Sequence, residues 1–315
     1  MLDLVTIGET MVVFIPRESG YLRYVSEFTK KTAGAESNVA IGLAKLGHSS
    51  GWISKIGNDE FGEFLLRELR GEGVDTSRVL RSGTNPTGLM FKQFRSGGET
   101  SVFYYRRDSA ASTLCPEDLD ADYIRSARIV HLSGITPALS ASCAETVPHI
   151  MRIAREAGAL VSFDPNIRLR LWDAARAKQT LAPLFAQSDI VLIGQDEGEM
   201  LVGEREPEGI IAALRAQGAR WIAVKMGKRG AMVADQSESF MIPIVDGPVV
   251  DNVGAGDAFD AGFLCGILEG CGVRECGEMG SIMGGAAVSA NGDVEGLPNR
   301  EQFDRIRQKA TVIYR

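Results

Sequence analysis

The sequence predicts an α/β protein with a mostly parallel central sheet covered by helices on both faces. Three observations predict it: short, continuous apolar runs recur along the chain, longer segments of helical period separate them, and glycines follow several of those segments where a C′ residue belongs. At 315 residues there is room for one large domain of this kind, with or without a small appendage.

In chain order, residues 4–7 form the first strand run, and a helix over 37–46 closes at Gly47. A strand over 52–56 precedes a helix over 60–70 that closes at Gly71, and strands over 129–132 and 160–163 flank a helix over 142–157 that closes at Gly158. The strand over 190–193, the helix over 207–217 closed by Gly218, and strands over 221–225 and 231–234 continue the alternation. Helices over 255–269, closed by Gly270, and 300–313 complete it. Two segments, 11–31 and 88–107, alternate polar with apolar residues at period two instead, as strands with one wetted face do. Gly97-Gly98 supplies a hairpin turn between runs 89–95 and 100–106. The main domain is therefore assigned to 1–10, 32–87 and 108–315, and a small β-sheet to 11–31 and 88–107. A lid over the active site and a dimer contact compete as its use.

Composition excludes several classes. No run approaches the ~18 apolar residues of a membrane helix, and Met1-Leu2-Asp3-Leu4 lacks the basic start of a signal peptide, so a cytoplasmic protein without a membrane partner is expected. The 34 Lys and Arg are scattered and outnumbered by 41 Asp and Glu, which argues against nucleic acid but leaves room for pockets that bind small anions. Five cysteines without a C-x-x-C pair read as reduced thiols, and His48, His131 and His149 lack metal-ligand spacing.

The strongest local signal is Asp251-Asn252-Val253-Gly254-Ala255-Gly256-Asp257-Ala258-Phe259, a glycine-rich turn running into an apolar helix. Backbone N–H groups at such a helix start form an anion site, suited to phosphate and to the charge that builds in phosphoryl transfer. Asp257 would place a carboxylate beside it, able to accept the proton of an attacking hydroxyl. No Walker A sequence occurs, and Phe259 stands where a dinucleotide fingerprint needs its third glycine. A plain helix start with an acidic first turn is the competing explanation.

This motif resembles the C-terminal signature D-T-x-G-A-G-D-x-F of the ribokinase-like sugar kinases, the PfkB family. Ala33-Gly34-Ala35-Glu36-Ser37-Asn38, Leu46-Gly47 and Gly57-Asn58-Asp59-Glu60-Phe61-Gly62 resemble its N-terminal signature in order and spacing. The resemblance spans essentially the whole chain and implies a ribokinase-like three-layer sandwich with a small β lid. It makes Asp257 the general base, and Gly254, Ala255 and Gly256 the anion hole. It lays Lys225, Gly227 and Gly230, from the family's K-x-G-x-x-G turn, against ATP. Glu197 falls on the glutamate of an N-x-x-E motif that places Mg2+ indirectly, although Gly194 replaces its asparagine and Asn252 replaces the usual threonine of the C-terminal signature. A monovalent cation such as K+, which some relatives use, stays open.

Segments 103–111 and 163–172 resemble the 2-keto-3-deoxygluconate kinase branch. That likeness makes Gly34, Asn38, Tyr104, Arg106, Arg168 and Asp293 contacts to a sugar acid, with the arginines on its carboxylate. Met90 stands where the branch usually has a tyrosine. The residues alone also allow plainer roles: an exposed basic edge for Tyr104 and Arg106, a surface arginine for Arg168, a helix-start acid for Glu197, a turn aspartate for Asp293 and a tight β-turn for 225–230. The expected activity is thus ATP-dependent phosphorylation of a sugar acid's primary hydroxyl, with 2-keto-3-deoxygluconate as first choice. A fructokinase or other neutral-sugar kinase is one alternative, and an inactive sugar-binding sensor on the same fold is another. Assembly into a homo-oligomer through the lid is implied by the family alone.

Overall fold

The computed structural model describes residues 1–95, 100–245, 249–250 and 253–313. Its strands in chain order are β1 (Leu2–Ile7), β2 (Met11–Pro16), β3 (Phe28–Ala33), β4 (Ser50–Gly57), β5 (Val79–Ser82), β6 (Leu89–Phe94), β7 (Thr100–Tyr105), β8 (Ala127–Ser133), β9 (Leu160–Asp164), β10 (Ile190–Gly194), β11 (Trp221–Lys225), β12 (Ala231–Ala234) and β13 (Ser239–Ile242). The helices are α1 (Ala35–Lys45), α2 (Glu60–Gly71), α3 (Ala121–Arg125), α4 (Ile135–Leu139), α5 (Ala141–Glu156), α6 (Ala174–Leu181), α7 (Gln195–Val202), α8 (Pro207–Ala216), α9 (Ala255–Leu268), α10 (Val273–Ala287) and α11 (Arg300–Ile313).

Nine strands form the main sheet in the order β13-β12-β11-β10-β9-β8-β1-β4-β5. Pairing is parallel from β5 to β11, and β12 and β13 add an antiparallel edge. Because strand side chains alternate between faces, the inner strands feed two cores. Leu4, Ile190, Leu192 and Ala223 pack with residues of α1, α2, α9, α10 and α11. Val5, Val191, Ile193, Ile222 and Val224 pack on the other face with residues of α5, α6, α7 and α8. The continuous apolar runs are therefore the signature of strands buried on both sides.

The second sheet, β3-β2-β6-β7, consists of the strands expected from the period-two segments. It reaches Ala33, two residues past the expected limit of 31, because antiparallel pairing with β2 runs on until Met11 opposes Ala33. The expected Gly97-Gly98 turn lies outside the described residues, but β6 and β7 pair antiparallel from Leu89↔Tyr105 to Phe94↔Thr100. Helix α1 starts two residues before the expected Ser37, since its N-cap is Gly34, which carries no capping side chain to mark the start.

After β1 the chain builds outward to β4 and β5, then returns to lay β8 on the other side of β1. Strand order reverses at β1 and β8, and the crevice beyond their carboxyl ends is where an open α/β sheet binds ligands. Buried Glu36 of α1 spans this reversal, its carboxylate accepting from Ser133 Oγ (2.6 Å) and Thr136 Oγ1 (2.8 Å), while burial raises its pKa. Among the described residues no helix is long and apolar enough to cross a membrane.

Candidate active site

A cavity of about 1280 Å³ lies beyond the carboxyl ends of the parallel strands, and the small sheet forms one of its walls. Asp164 at the end of β9, Gly194 at the end of β10, Lys225 at the end of β11, and Gly254, Gly256 and Asp257 at the start of α9 line one part of it. Met11, Met90, Lys92, Val102 and Tyr104 of the small sheet, with Arg106 and Arg107 beyond β7, line another. The segment after β9 adds Arg168 and Arg170.

The start of α9 follows from its sequence. Gly254 is the N-cap and adopts φ +79°, a left-handed conformation natural to glycine, and a Cβ there would come within 2.5 Å of the Asp293 carbonyl oxygen. That close approach brings the loop carrying Asp293 against the helix start. The first N–H groups of the helix lack intrahelical partners, which suits them to an anion.

Asp257, in the first turn, and nearby Asp293 share one donor: Asn38 Nδ2 donates to Asp257 Oδ2 at 2.7 Å and to Asp293 Oδ2 at 3.2 Å. Burial, with the Asp293 and Asp164 charges adding to it, pushes the Asp257 carboxyl up to about 7 against the Asn38 hydrogen bond and the Lys225 charge. A carboxyl whose pKa is raised to about 7, beside helix-start N–H groups without intrahelical partners, has the properties of a general base.

Behind this turn Lys225 Nζ donates to Asp164 Oδ2 (2.9 Å) and to Asp260 Oδ1 and Oδ2 (3.0 and 3.2 Å). Burial opposes its charge, but the two carboxylates outweigh burial and keep the ammonium protonated far above neutrality. Burial likewise raises Asp260, whereas Lys225 holds Asp164 low in spite of its own burial. Glu197 is tied to backbone: it accepts from Gly194 N–H (2.8 Å) and Ile167 N–H (2.6 Å), joining the starts of the segments after β10 and β9. Burial and the neighbouring Asp164 charge raise its pKa.

Residues 1–300 match the model of the pfkB family carbohydrate kinases. The chain belongs to this family. It is 47% identical over 305 residues, 96% of this chain and 94% of the relative, to a 2-dehydro-3-deoxygluconokinase from Bacillus subtilis strain 168. Among solved structures, a 2-dehydro-3-deoxygluconokinase from Thermotoga maritima superposes with a TM-score of 0.89 at 26% identity, covering 98% of each chain. An uncharacterized sugar kinase from Pyrococcus horikoshii, solved in complex with ATP, gives 0.80 at 29% identity over 95% of this chain and 96% of its own.

In this pfkB-family kinase, Gly34, Asn38, Tyr104, Arg106, Arg168, Glu197, Lys225, Gly254, Gly256, Asp257 and Asp293 all line the one cavity. Ala255, Gly227 and Gly230 are not among its lining residues. Ala255 opens α9 beside it, while Gly227 and Gly230 bound the turn between β11 and β12, where a Cβ on Gly230 would strike the Ile242 carbonyl. Asp251 and Asn252 lie outside the described residues. Met90 faces Tyr104 across the β6–β7 ladder, so an aliphatic thioether stands next to that ring in the cavity wall.

Arg106 carries a partner that sequence reasoning missed. Its Nε and Nη2 lie 2.6 and 2.5 Å from Oε2 of Glu9, whose side chain is 1% exposed and also accepts from Ser109 Oγ. The available signal was an acid directly beyond the carboxyl end of β1. Asp260 was missed too, although a carboxylate inside the apolar run Ala258-Phe259-Asp260-Ala261-Gly262-Phe263 demands a buried partner. Arg168 is exposed, and its Nη1 makes a 3.4 Å hydrogen bond to the Ile167 carbonyl. Arg170 instead donates to the Val102 carbonyl (2.9 Å), linking the segment after β9 to the small sheet.

Proposed function

We propose that this kinase transfers the γ-phosphoryl group of ATP to the primary hydroxyl of a sugar acid, 2-keto-3-deoxygluconate. The observation that carries the proposal is the joint lining of one cavity by Asp257 with its glycine turn and by Arg106 and Arg168. The 47% identical 2-dehydro-3-deoxygluconokinase supports the acceptor, and the ATP-bound relative supports the donor.

Asp257 takes the hydroxyl proton as the hydroxyl oxygen bonds to the γ-phosphorus, and the bond from that phosphorus to the bridging oxygen breaks to release ADP. The N–H groups of the turn at 254–256 take up charge on the transferring group. The arginines fix the acceptor's carboxylate, so its far hydroxyl is delivered to Asp257. A magnesium ion fits the oxygen donors here: Glu197 lines the cavity, and its proton affinity, raised by burial and Asp164, is a load that a cation relieves. Glu197 would hold the ion indirectly, through water, and the ion would neutralise phosphate charge.

The Glu9–Arg106 ion pair favours a second acceptor class, a neutral sugar such as fructose, because it already supplies Arg106 with a carboxylate. The deciding experiment is ADP release with ATP and Mg2+ over 2-keto-3-deoxygluconate, its galactonate epimer, fructose, ribose and adenosine, with and without K+. Turnover confined to the keto-deoxy acids is expected. Preference for fructose or ribose would overturn the acid assignment, and saturable binding without ADP release would mark a sensor.

The same proposal puts the enzyme in the cytoplasm as a homo-oligomer joined through the small sheet. Phe103 and Tyr105 alternate with the cavity-lining Val102 and Tyr104 on β7, and remain 43% and 64% exposed. Sedimentation of Tyr105→Lys, expected to run as the monomer while the wild type runs as an oligomer, tests that contact.

A further inference from the structure

Helix α9 is buried and apolar apart from two carboxylates, Asp257 and, one turn on, Asp260. Asp257 reaches the cavity; Asp260, fully buried, is not among its lining residues. Lys225 lines the cavity and spends its ammonium on Asp260 and Asp164. A methyl group placed on Gly256 would lie 3.8 Å from Lys225 Nζ, so the ammonium lies directly against the turn that forms the anion site.

A buried arrangement of two acids and one base contributes little to stability compared with well-packed apolar side chains of the same volume. Its presence needs another reason, and its position supplies one. The strands β9 and β11 and the helix α9 each deliver one member of the triad to the same edge of the sheet where the phosphoryl group must pass. A cation fixed in that place before substrate arrives requires no reorganisation as negative charge develops.

We propose that Lys225 stabilises the transferring phosphoryl group from beneath the glycine turn, and that Asp260, with Asp164, is a positioning residue that holds the ammonium there. Asp260 touches neither substrate in this scheme; it acts through Lys225. The three hydrogen bonds, 2.9 to 3.2 Å long, leave the Lys225 head little freedom to swing toward bulk water. This inference rests on the kinase function proposed above.

The test is a kinetic double-mutant cycle of Lys225→Met and Asp260→Asn, measured with the best acceptor found for the wild type. Lys225→Met is expected to lower kcat by about 10²- to 10³-fold, the range for loss of one preorganised electrostatic contact to developing charge, with the acceptor KM within about 2-fold. Asp260→Asn is expected to lower kcat about 10-fold alone and to add nothing in the Lys225→Met background, since residues acting through one another are not additive. A purely structural Asp260 would lower Tm in both backgrounds and leave kcat in place, which would overturn the assignment, as would a Lys225→Met enzyme with kcat within about 3-fold of wild type.

Binding of ADP with aluminium fluoride, a mimic of the transferring group, gives a readout independent of the acceptor. Lys225→Met should lose the gain in affinity that fluoride confers while binding ADP alone as the wild type does; an undiminished gain would refute the proposal. Should Lys225→Met fail to fold with two unpaired acids, the same fluoride measurement on Asp260→Asn, which keeps the Asp164 partner, decides the matter, with a weakened gain expected. A wild type that phosphorylates none of the sugars points to failure of the function, whereas an active wild type insensitive to both substitutions points to failure of this inference alone.

Discussion

Replacing Asp257 by Asn tests the base and its environment in one protein. The side chain keeps its size and its acceptor for Asn38 Nδ2, now 2.7 Å away, but can no longer take a proton. Turnover should therefore fall by about 10²- to 10⁴-fold, the usual worth of a general base, with ATP affinity little changed. The same substitution should stabilise the fold at alkaline pH. Burial raises this carboxyl from 3.8 to about 7, so between those values the folded state holds a proton that the unfolded chain has released. Wild-type stability from this group therefore declines as pH rises through that window and levels off above about 7. Each pH unit of such a window is worth about 1.4 kcal/mol, which caps the effect near 4 kcal/mol, and solvent screening at a half-buried site reduces it to about 1–2 kcal/mol. For a chain of this length that corresponds to about 2–3 °C in Tm. Differential scanning calorimetry at pH 4 and pH 8 reads it directly: the Asp257→Asn variant should gain at pH 8 and show no gain at pH 4. An equal gain at both values, or near-normal kcat in Asp257→Asn, would refute the reasoning.

The wild-type kcat/KM should rise with pH through about 7 and fall below it, because the proposed base, Asp257, accepts a proton only when ionised, and a pH–rate profile checks the midpoint. Arg168→Ala should raise KM for a sugar acid by about 10- to 100-fold, the loss of one charged hydrogen-bonding partner, while leaving fructose turnover, where present, within about 2-fold. Glu9→Ala strips the buried Arg106 of its partner and should cost about 3–5 kcal/mol in urea unfolding, as breaking a buried pair does; an unchanged midpoint would mean that Arg106 is solvated. Gly254→Ala forces a left-handed φ of +79° and a 2.5 Å approach to the Asp293 carbonyl, so it should destabilise by about 1–3 kcal/mol and lower kcat with it.

Much of this architecture was legible because its signals are local. Doubly buried strands read as continuous apolar runs, and the small sheet read as period-two segments, since both patterns are set by which faces meet water. The glycine turn at 254–256 announced itself by residue type, because a left-handed N-cap in close contact with another segment excludes most side chains. Helix α1 was placed two residues late because glycine at its N-cap leaves no side-chain signal. Edge strands such as β5 and β13 were missed for a related reason: short and partly exposed, they carry no long apolar run.

By itself, then, the sequence determined the alternation of the inner strands with many of their helices, the small sheet, and the glycine turn with Asp257 in the first turn of α9. Only the tertiary structure decided their partners. Glu9 meets Arg106 across 97 residues, Asp164 meets Lys225 across 61, and Asn38 reaches Asp257 and Asp293 across 219 and 255. Periodicity fixes the face on which a side chain emerges, but an ion pair or a shifted proton affinity depends on separations of a few ångströms. Those separations exist only once strand order brings the carboxyl ends of β1, β8, β9, β10 and β11 together and closes α1 and α9 over them.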